Sequence, residues 1–553
     1  MSKTRIAAWL LSSTLALAAG GPAAWAQHQH DGHDHADPAA TPPEQLGEVS
    51  FPVSCNAKAQ AELDRAMALF HSFWFVPARE SFARVLEHDP SCGMAHWGVS
   101  IVSMGNPYGW PPNPNALKAG AAAYAEAARV GAGTERERDF IAALGKFFEG
   151  WETTDHRPRA LAFKDAMQGV AVRYADDVEA QILYALLLNA TALPTDKTFA
   201  HQLEAGRILE PLFAKHPNHP GLAHQLIHTY DYAELAEKGL PAARAYAKIA
   251  PSVPHALHMP SHIFSRIGSW QEMVEANLAS YDAAKGELAE ATLGVGTYDA
   301  LHAMDYLVLA YLQQAQDRAA KRYVNETALI REIDVQNFVA AYAFAAIPAR
   351  YALERGDWNA AAKLELSPPD LAWQNFPQAE AILVFARGLG KARSGDAAAA
   401  RSDVARLREL REAMLAAKLD YWAGQTAFQI EAVEAWTALA ENRRDDAVRL
   451  MRASAEAEAR SDKHPVTPGN VAPSRELLGD MLLQLGDSAA AQAEYERSLR
   501  RDPNRFRAIY GAARAAEAAG NKKQARQHYA RLLELTANRD TERRELAHAK
   551  KMS

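Results

Sequence analysis

Hydrophobic positions recur with a helical period over most of the chain. From about residue 57, apolar side chains return every three or four positions, as they do on the buried face of an amphipathic helix. Few stretches alternate with the period of two that is typical of strands. The pattern therefore predicts an all-α fold of consecutive helical hairpins. Helices after the first hairpins are predicted at 116–130, 134–150, 158–174, 176–192 and 197–215.

A repeat of 34 residues is clearest near the C-terminus. Ala491 and Tyr495 recur as Ala525 and Tyr529, and Pro503 closes the first of these units. Near the N-terminus, the segment from Ala78 to Pro90 also resembles the second helix of a tetratricopeptide repeat. Units of this kind bury their apolar faces by stacking on their neighbours. The predicted fold class is thus a tetratricopeptide-repeat-like α-solenoid.

Two histidine pairs share this period. His224 and His228 are four residues apart, and His258 and His262 repeat the pair 34 residues later. A spacing of four places two side chains on one helix face, and one full repeat places the next pair on a neighbouring helix. Packed helices lie roughly 8–10 Å apart, so the four imidazoles can converge. The sequence predicts one or two metal ions held between them.

Other polar residues near these pairs extend the candidate site. Asp231 follows His224 by seven residues and is a candidate ligand or orienting group. His302, on a following helix, is a further candidate ligand. His255 and Asp305 are candidates for the surrounding shell. Imidazole and carboxylate ligands suit zinc, copper, iron or nickel, which spacing does not distinguish.

The zinc-peptidase pattern HExxH is absent, because Gln225 follows His224. If the centre is a metal-dependent hydrolase, its base must come from elsewhere, and Asp231 and Asp305 are the candidates. The alternative function is a non-catalytic scaffold that binds a peptide or protein in its concave groove. The isolated histidines are interpreted as packing or surface residues, and His216 and His219 as turn residues. The isolated set is His71, His88, His156, His201, His464, His528 and His548.

Three segments together resemble a family of exported bacterial tetratricopeptide-repeat proteins. They read HPGLAHQLIHTYD, PHALHMPSHIFSRIGSW and DALHAMDYLVLAYLQ. The family motifs are HPGxxHxxIH and HMPSHI, and the resemblance spans roughly residues 50–390. It implies one shared histidine site and no particular activity.

The N-terminus predicts export. Lys3 and Arg5 precede an apolar stretch, and a small-x-small site predicts cleavage between Ala26 and Gln27. Residues 1–26 are thus a predicted signal peptide, and the protein is predicted to be periplasmic or secreted. Residues 27–50 form a predicted disordered, histidine-rich tail, interpreted either as a linker or as a loose metal collector.

The two cysteines, Cys55 and Cys92, predict one disulfide in an exported protein, with a thiolate metal site as the alternative. They flank a predicted helical hairpin whose two ends lie together. No stretch after the signal is long and apolar enough to span a bilayer. The protein is therefore not expected to be an integral membrane protein.

Charge and composition set the remaining expectations. A net charge of −7 argues against general nucleic-acid binding. The Pro- and Gly-rich residues 461–474 are predicted to link the main array, 51–460, to a C-terminal repeat pair, 475–540. The aromatic, Pro-rich segment 106–115 is interpreted either as a cover over the groove or as a simple connector.

Overall fold

The computed structural model describes residues 44–286 and 294–553. The predicted signal peptide, the cleavage site at Ala26 and Gln27, and residues 27–43 of the predicted tail lie outside the described residues. Gln45–Ser553 form one compact unit. All of the predicted site residues belong to this unit.

Helices dominate the described residues. The helices are α1 Ala57–His71, α2 Phe75–His88, α3 Gly93–Val102, α4 Pro114–Val130, α5 Glu135–Phe148, α6 His156–Arg173, α7 Val178–Thr191, α8 Ala200–Lys215, α9 Pro220–Tyr230, α10 Ala236–Ile249, α11 Pro254–His258, α12 Pro260–Ile267, α13 Trp270–Gly286, α14 Tyr298–Gln313, α15 Asp317–Thr327, α16 Phe338–Glu354, α17 Trp358–Ala361, α18 Pro377–Arg393, α19 Ala397–Ala416, α20 Asp420–Ala440, α21 Arg444–Ala459, α22 Ser474–Gln484, α23 Ser488–Arg501, α24 Phe506–Ala518, α25 Lys522–Leu535 and α26 Arg544–Met552. Short 3-10 turns lie at Pro107–Gly109 and Trp373–Asn375. Within the described ranges, none of the helices combines the length and apolar character needed to cross a membrane.

Successive helices pack as hairpins, and each hairpin stacks on the next. The first helices of three consecutive units are α9, then the broken helix α11–α12, then α14, and their partners are α10, α13 and α15. The strands β1 Val295–Gly296 and β2 Glu332–Ile333 are two residues long and pair in parallel. The predicted all-α solenoid of helical hairpins is confirmed.

The predicted disulfide is present. Cys55 lies just before α1 and Cys92 caps α3, so the bond joins the two ends of the α1–α2 hairpin, with a Cα–Cα distance of 5.3 Å. Both cysteines are consumed by this bond. The alternative of a thiolate metal site is therefore wrong.

The residues predicted as a linker are irregular up to the start of α22, as their Pro and Gly content indicates. They nevertheless pack against the main array. Arg350 of α16 donates to the carbonyl oxygens of Gly469 and Asn470, and Tyr421 of α20 donates to that of Asp462. The segment predicted as a linker is thus hydrogen-bonded to the main array near both of its ends.

The C-terminal repeats fold back onto the middle of the chain. The Trp270 indole donates to the carbonyl oxygen of Asn504 at 2.8 Å, and Arg505 pairs with Glu354. Gly268 makes this approach feasible, because a Cβ there would lie 2.2 Å from the carbonyl oxygen of Pro503. A fifth C-terminal helix, α26, follows the predicted pair of repeats.

The disulfide gives a stability prediction. Closing a loop across a sequence separation of 37 residues removes entropy from the unfolded chain worth about 3–4 kcal/mol. We expect a Cys55→Ser/Cys92→Ser variant to lose about that much free energy of unfolding, measured by urea denaturation without reductant. Equal denaturation midpoints for the two chains would contradict the prediction.

Candidate metal centre

Prolines and one histidine cap set where the site helices begin. The His219 ring accepts a hydrogen bond from the Gly221 amide, and Pro220 follows as the first helical residue of α9. Pro254 opens α11 and Pro260 opens α12, because proline fits the first turn of a helix. His258 therefore ends one short helix and His262 lies in the first turn of the next, so the second pair does not share one continuous helix.

Three imidazoles meet in a first triad. The Nε2 atom of His224 lies 3.1 Å from Nε2 of His228 and 3.2 Å from Nε2 of His255. His224 and His228 come from α9 and His255 from α11. His255, expected in the surrounding shell, thus stands at the same point as the predicted ligands.

A second triad lies beside the first. Nε2 of His258 is 3.1 Å from Nε2 of His262, and a ring nitrogen of His302 lies within 4.8 Å of both. The rings of His228 and His262, one from each triad, have centroids 5.8 Å apart. The four predicted histidines do not form one common ligand set, but they divide between two adjoining groups of three.

Hydrogen bonds fix which nitrogen of each ring carries hydrogen. Nδ1 of His258 faces Oδ1 of Asn277 at 2.7 Å, and Asn277 donates its own Nδ2 to the Met273 carbonyl. Nδ1 of His262 faces the Asp231 carboxylate at 3.1 Å. Because both partners are acceptors, both Nδ1 atoms are donors, and in neutral rings both Nε2 atoms hold lone pairs. Two lone pairs therefore face each other across 3.1 Å.

The first triad has the same arrangement at His224. Its Nδ1 donates to the His71 carbonyl oxygen at 2.6 Å, which leaves a lone pair on Nε2. That lone pair is the point toward which His228 and His255 converge. In His224, His258 and His262, therefore, a hydrogen bond at Nδ1 fixes the ring and leaves the Nε2 lone pair directed inward.

Burial keeps these rings neutral. His224 is fully buried, and burial lowers its pKa to about 3. Burial likewise lowers the pKa of His302 to about 3 and holds the pKa values of His228, His255 and His258 well below the usual range. Neutral imidazole is the form that binds metal ions.

Asp231 does not point its carboxylate into either triad. One oxygen accepts from His262 and from the Lys463 ammonium at 2.7 Å, and the other accepts from Arg266 at 2.8 Å. Burial opposes ionisation, but Lys463 and Arg266 outweigh it and hold the pKa of Asp231 below its usual range. Of its two predicted roles, Asp231 is thus placed to orient the His262 imidazole and not to bind a metal ion.

Asp305 does not contact a site histidine. Its carboxylate receives a two-pronged ion pair from Arg350, at 2.7 and 3.3 Å, and both side chains are fully buried. Asp305 follows His302 by three residues on α14, which is why the sequence suggests a contact. The guanidinium of Arg350, on α16, instead binds both of its carboxylate oxygens. It is therefore not available to orient His302.

Aromatic rings hold the two triads in place. Phe73 packs its ring 4.4 Å from that of His224, and Tyr306 packs 4.5 Å from His258. Tyr108 stacks on His228 with a centroid distance of 3.8 Å and donates its hydroxyl to Gln225. Tyr108 belongs to the Pro-rich segment 106–115, which therefore covers the site, one of its two predicted roles.

A cavity of about 300 Å³ opens onto the first triad at His228. One wall comes from the cover segment, with Tyr108 and Trp110, and another from the predicted linker, with Lys463 and His464. The histidine patch is thus enclosed and does not line an open concave groove. The route to the first triad through this cavity suits a small molecule.

A third histidine group lies next to the first triad and differs from it chemically. His71 and His219 both direct Nε2 to the carboxylate of Glu179, at 2.6 and 2.9 Å. Since His219 accepts the Gly221 amide at Nδ1, its neutral ring carries hydrogen on Nε2 and donates it to Glu179. The Glu179 carboxylate therefore occupies both Nε2 atoms, while the buried Nδ1 of His71 has no hydrogen-bond partner among the described residues. The His71 carbonyl orients His224.

Sequence reasoning missed several of these residues. His71 and His219 were interpreted as packing and turn residues, and Glu179, Asn277 and Lys463 carried no recognisable motif. The HPNHPG turn offers a signal for His219, because a histidine before Pro-Gly at a helix start can cap the helix. For Glu179, on a helix 40 residues before His219, no local signal exists.

Comparisons with known proteins give one family match and several distant structural neighbours. A tetratricopeptide repeat family matches residues 472–505, which form α22 and α23. No curated protein matches the sequence. Among solved structures, yeast Tom70 is 11% identical and covers 90% of this chain and 95% of its own, with a TM-score of 0.31. The human IFIT1 dimer with PPP-AAAA is 11% identical and covers 80% of this chain and 91% of its own, with a TM-score of 0.35.

The chain is therefore an all-α solenoid of helical hairpins that contains a tetratricopeptide repeat at residues 472–505. The likeness to an exported bacterial family rests on the three sequence segments that carry the histidines. The motifs HPGxxHxxIH and HMPSHI supply four of the six triad members, His224, His228, His258 and His262.

The depressed pKa values predict acid sensitivity. Below its unfolded pKa of 6.5, His224 takes up a proton when the chain unfolds but stays neutral in the folded state down to about pH 3. Burying the neutral His224 ring therefore costs no stability above pH 6.5. Below that pH the free energy of unfolding decreases, by about 2 kcal/mol at pH 5. We expect the free energy of unfolding of the metal-free chain to fall by at least this amount between pH 7.5 and 5. A His216→Ala variant, altered at an exposed histidine, should show the same fall, and a flat profile would contradict the prediction.

Proposed function

We propose that this protein binds two transition-metal ions, one in each histidine triad. His224, His228 and His255 supply the first set of ligands, and His258, His262 and His302 supply the second. An imidazole-only donor set suits zinc, copper, iron or nickel. Three protein ligands leave a coordination position for an outside molecule, as catalytic metal sites do.

One observation carries the proposal. The Nε2 lone pairs of His258 and His262 face each other across 3.1 Å, and acceptors at both Nδ1 atoms prevent either ring from moving its hydrogen inward. Two facing lone pairs repel unless a cation shares them. Protonation would relieve the repulsion, but burial lowers the pKa of both rings. A metal ion about 2 Å from each nitrogen satisfies both.

The surrounding contacts support the same proposal. Metal-bound histidines ordinarily donate their second nitrogen to a carboxylate, an amide or a backbone carbonyl, which fixes the ring. Asp231, Asn277 and the His71 carbonyl are partners of these three kinds. Each is buried, so each ring is held before the ion arrives.

If the centre is catalytic, hydrolysis is the reaction class that needs the fewest further groups, because a bound metal ion lowers the pKa of water. Neither carboxylate considered as a base is suitable, since Asp231 and Asp305 are each held in buried ion pairs. A hydrolase built on this site would therefore depend on metal-bound hydroxide itself.

A scaffold that binds a peptide or protein partner is the second candidate, and the repeat at residues 472–505 favours it. This function would use surfaces away from the enclosed triads, so the two candidates can coexist. We also propose export to the periplasm or the outside of the cell, where the N-terminal histidines would meet metal ions first. Slower metal loading after deletion of residues 27–36 would support that role for the tail.

Metal content is the first test. We expect the full-length chain to bind two equivalents of one metal in its triads, measured by elemental analysis after dialysis. His224→Ala and His258→Ala should each lose about one equivalent, and the double variant two. His216→Ala is the matched control, because it removes an exposed histidine in the same region. Equal metal content in all five chains would place any bound metal elsewhere and sink the proposal.

The orienting contact of Asn277 gives a second test. Asn277→Leu removes the acceptor from His258 Nδ1, and loss of such a partner typically costs about 10–100-fold in metal affinity. We expect a loss of that size by competition with a chelator of known affinity. Asn277→Asp keeps an acceptor at this position and should recover most of the affinity. If both variants bind metal as tightly as the unchanged protein, Asn277 does not fix the orientation of the His258 ring.

A further inference from the structure

The cavity beside His228 has a definite chemical character, which the proposed metal site leaves unexplained. Four aromatic side chains line it: Tyr108, Trp110, Tyr232 and Tyr421. Its volume of about 300 Å³ is at the small end for ligand sites, which suits one ring with a short substituent and excludes a peptide of several residues. The cavity therefore favours a small ligand with a flat apolar ring.

The charged side chains that line the cavity are balanced in number. Asp231 faces both Lys463 and Arg266, and Asp462 pairs with Lys197. Arg157 lies exposed at the mouth, and its hydrogen bond there is to the neutral carbonyl of Thr191. Among the residues that line the cavity, the cations Arg157 and Lys463 thus equal the carboxylates Asp231 and Asp462 in number.

The proposed metal ions would upset this balance. All six triad histidines are neutral, so two metal ions would add their full charge to a buried region whose carboxylates, Asp231 and Asp462, are already paired with side-chain cations. Burying uncompensated charge is costly. An anion that enters the cavity would offset this charge, and the triads leave coordination positions for its donor atoms.

We infer that the cavity binds a small aromatic carboxylate, with its ring among Tyr108, Trp110 and Tyr232 and its carboxylate toward Lys463 and His228. This inference rests on the proposed metal function and names the ligand class of the same site. The carboxylate supplies the negative charge that the histidines lack. The ring explains why the cover segment presents aromatic side chains to the cavity.

Benzoate is the probe, and the metal-loaded full-length chain is the sample. We expect isothermal titration to show benzoate binding, with benzamide, its neutral counterpart, at least about tenfold weaker because it lacks the charge. Cyclohexanecarboxylate keeps the charge but loses the flat ring, so it should also bind less tightly. Equal binding of benzoate and benzamide would overturn the charge argument and with it the inference.

Two variants locate the binding. Trp110→Leu should weaken benzoate by up to about tenfold through the lost aromatic contact. Arg157→Gln should weaken it by about two- to fivefold, the effect of one exposed charge. Arg79→Gln on α2, exposed and outside the cavity lining, is the matched control and should bind as the unchanged chain does. Metal content should be the same in all of these variants.

The outcomes separate the two proposals. A chain that holds two metal ions but does not bind benzoate, or binds it equally in Trp110→Leu, Arg157→Gln and the control, overturns the aromatic carboxylate and leaves the metal site standing. A chain that takes up no metal overturns the proposed function and this inference together. Benzoate that binds the metal-free chain as tightly as the loaded one would also overturn the inference, because the metal charge would then play no part.

Discussion

The carboxylate of Asp231 is the contact on which the site depends. It receives His262 from α12, Arg266 from the same helix and Lys463 from the irregular segment before α22. Three parts of the chain are thus joined through two oxygen atoms at the end of α9. A carboxylate buried this deeply is stable only while its cationic partners remain, so helix position, ring orientation and closure of the site are set by one group.

This arrangement explains how a helical-repeat protein comes to contain an enclosed polar centre. Stacked hairpins leave a shared surface along their first helices, where α9, α11–α12 and α14 present histidines. Two irregular segments, 106–115 and 461–474, then cover that surface from opposite ends of the sequence. Polar groups that would otherwise face water are buried, and each needs a partner. The outward-directed Nδ1 atoms of His224, His258 and His262 have theirs, and the inward-directed Nε2 atoms define the site.

Periodicity made the fold and the core of the site predictable. The 34-residue interval placed His224, His228, His258 and His262 on adjacent first helices, which is where they lie. The assignment to two groups was not predictable, because it depends on His255, at the start of α11, and on the break at Met259-Pro260. Contacts such as Tyr108 with His228, or Lys463 with Asp231, join residues more than 100 positions apart and leave no local pattern. Spacing brought Asp305 near the site, but the buried Arg350 that takes its oxygens lies on another repeat.

The return of the C-terminal repeats to Gly268 and Trp270 has a consequence for how this protein can evolve. Open repeat arrays change length readily, since a unit can be duplicated or deleted and each neighbour still finds an equivalent surface. Here Asn504 must meet Trp270, and Arg505 must meet Glu354, across the units that lie between them. One additional hairpin in that interval would separate both pairs by the height of a helix layer. The number of units between α13 and α24 is therefore fixed, and variation in length can enter only at the ends of the chain or in its surface turns.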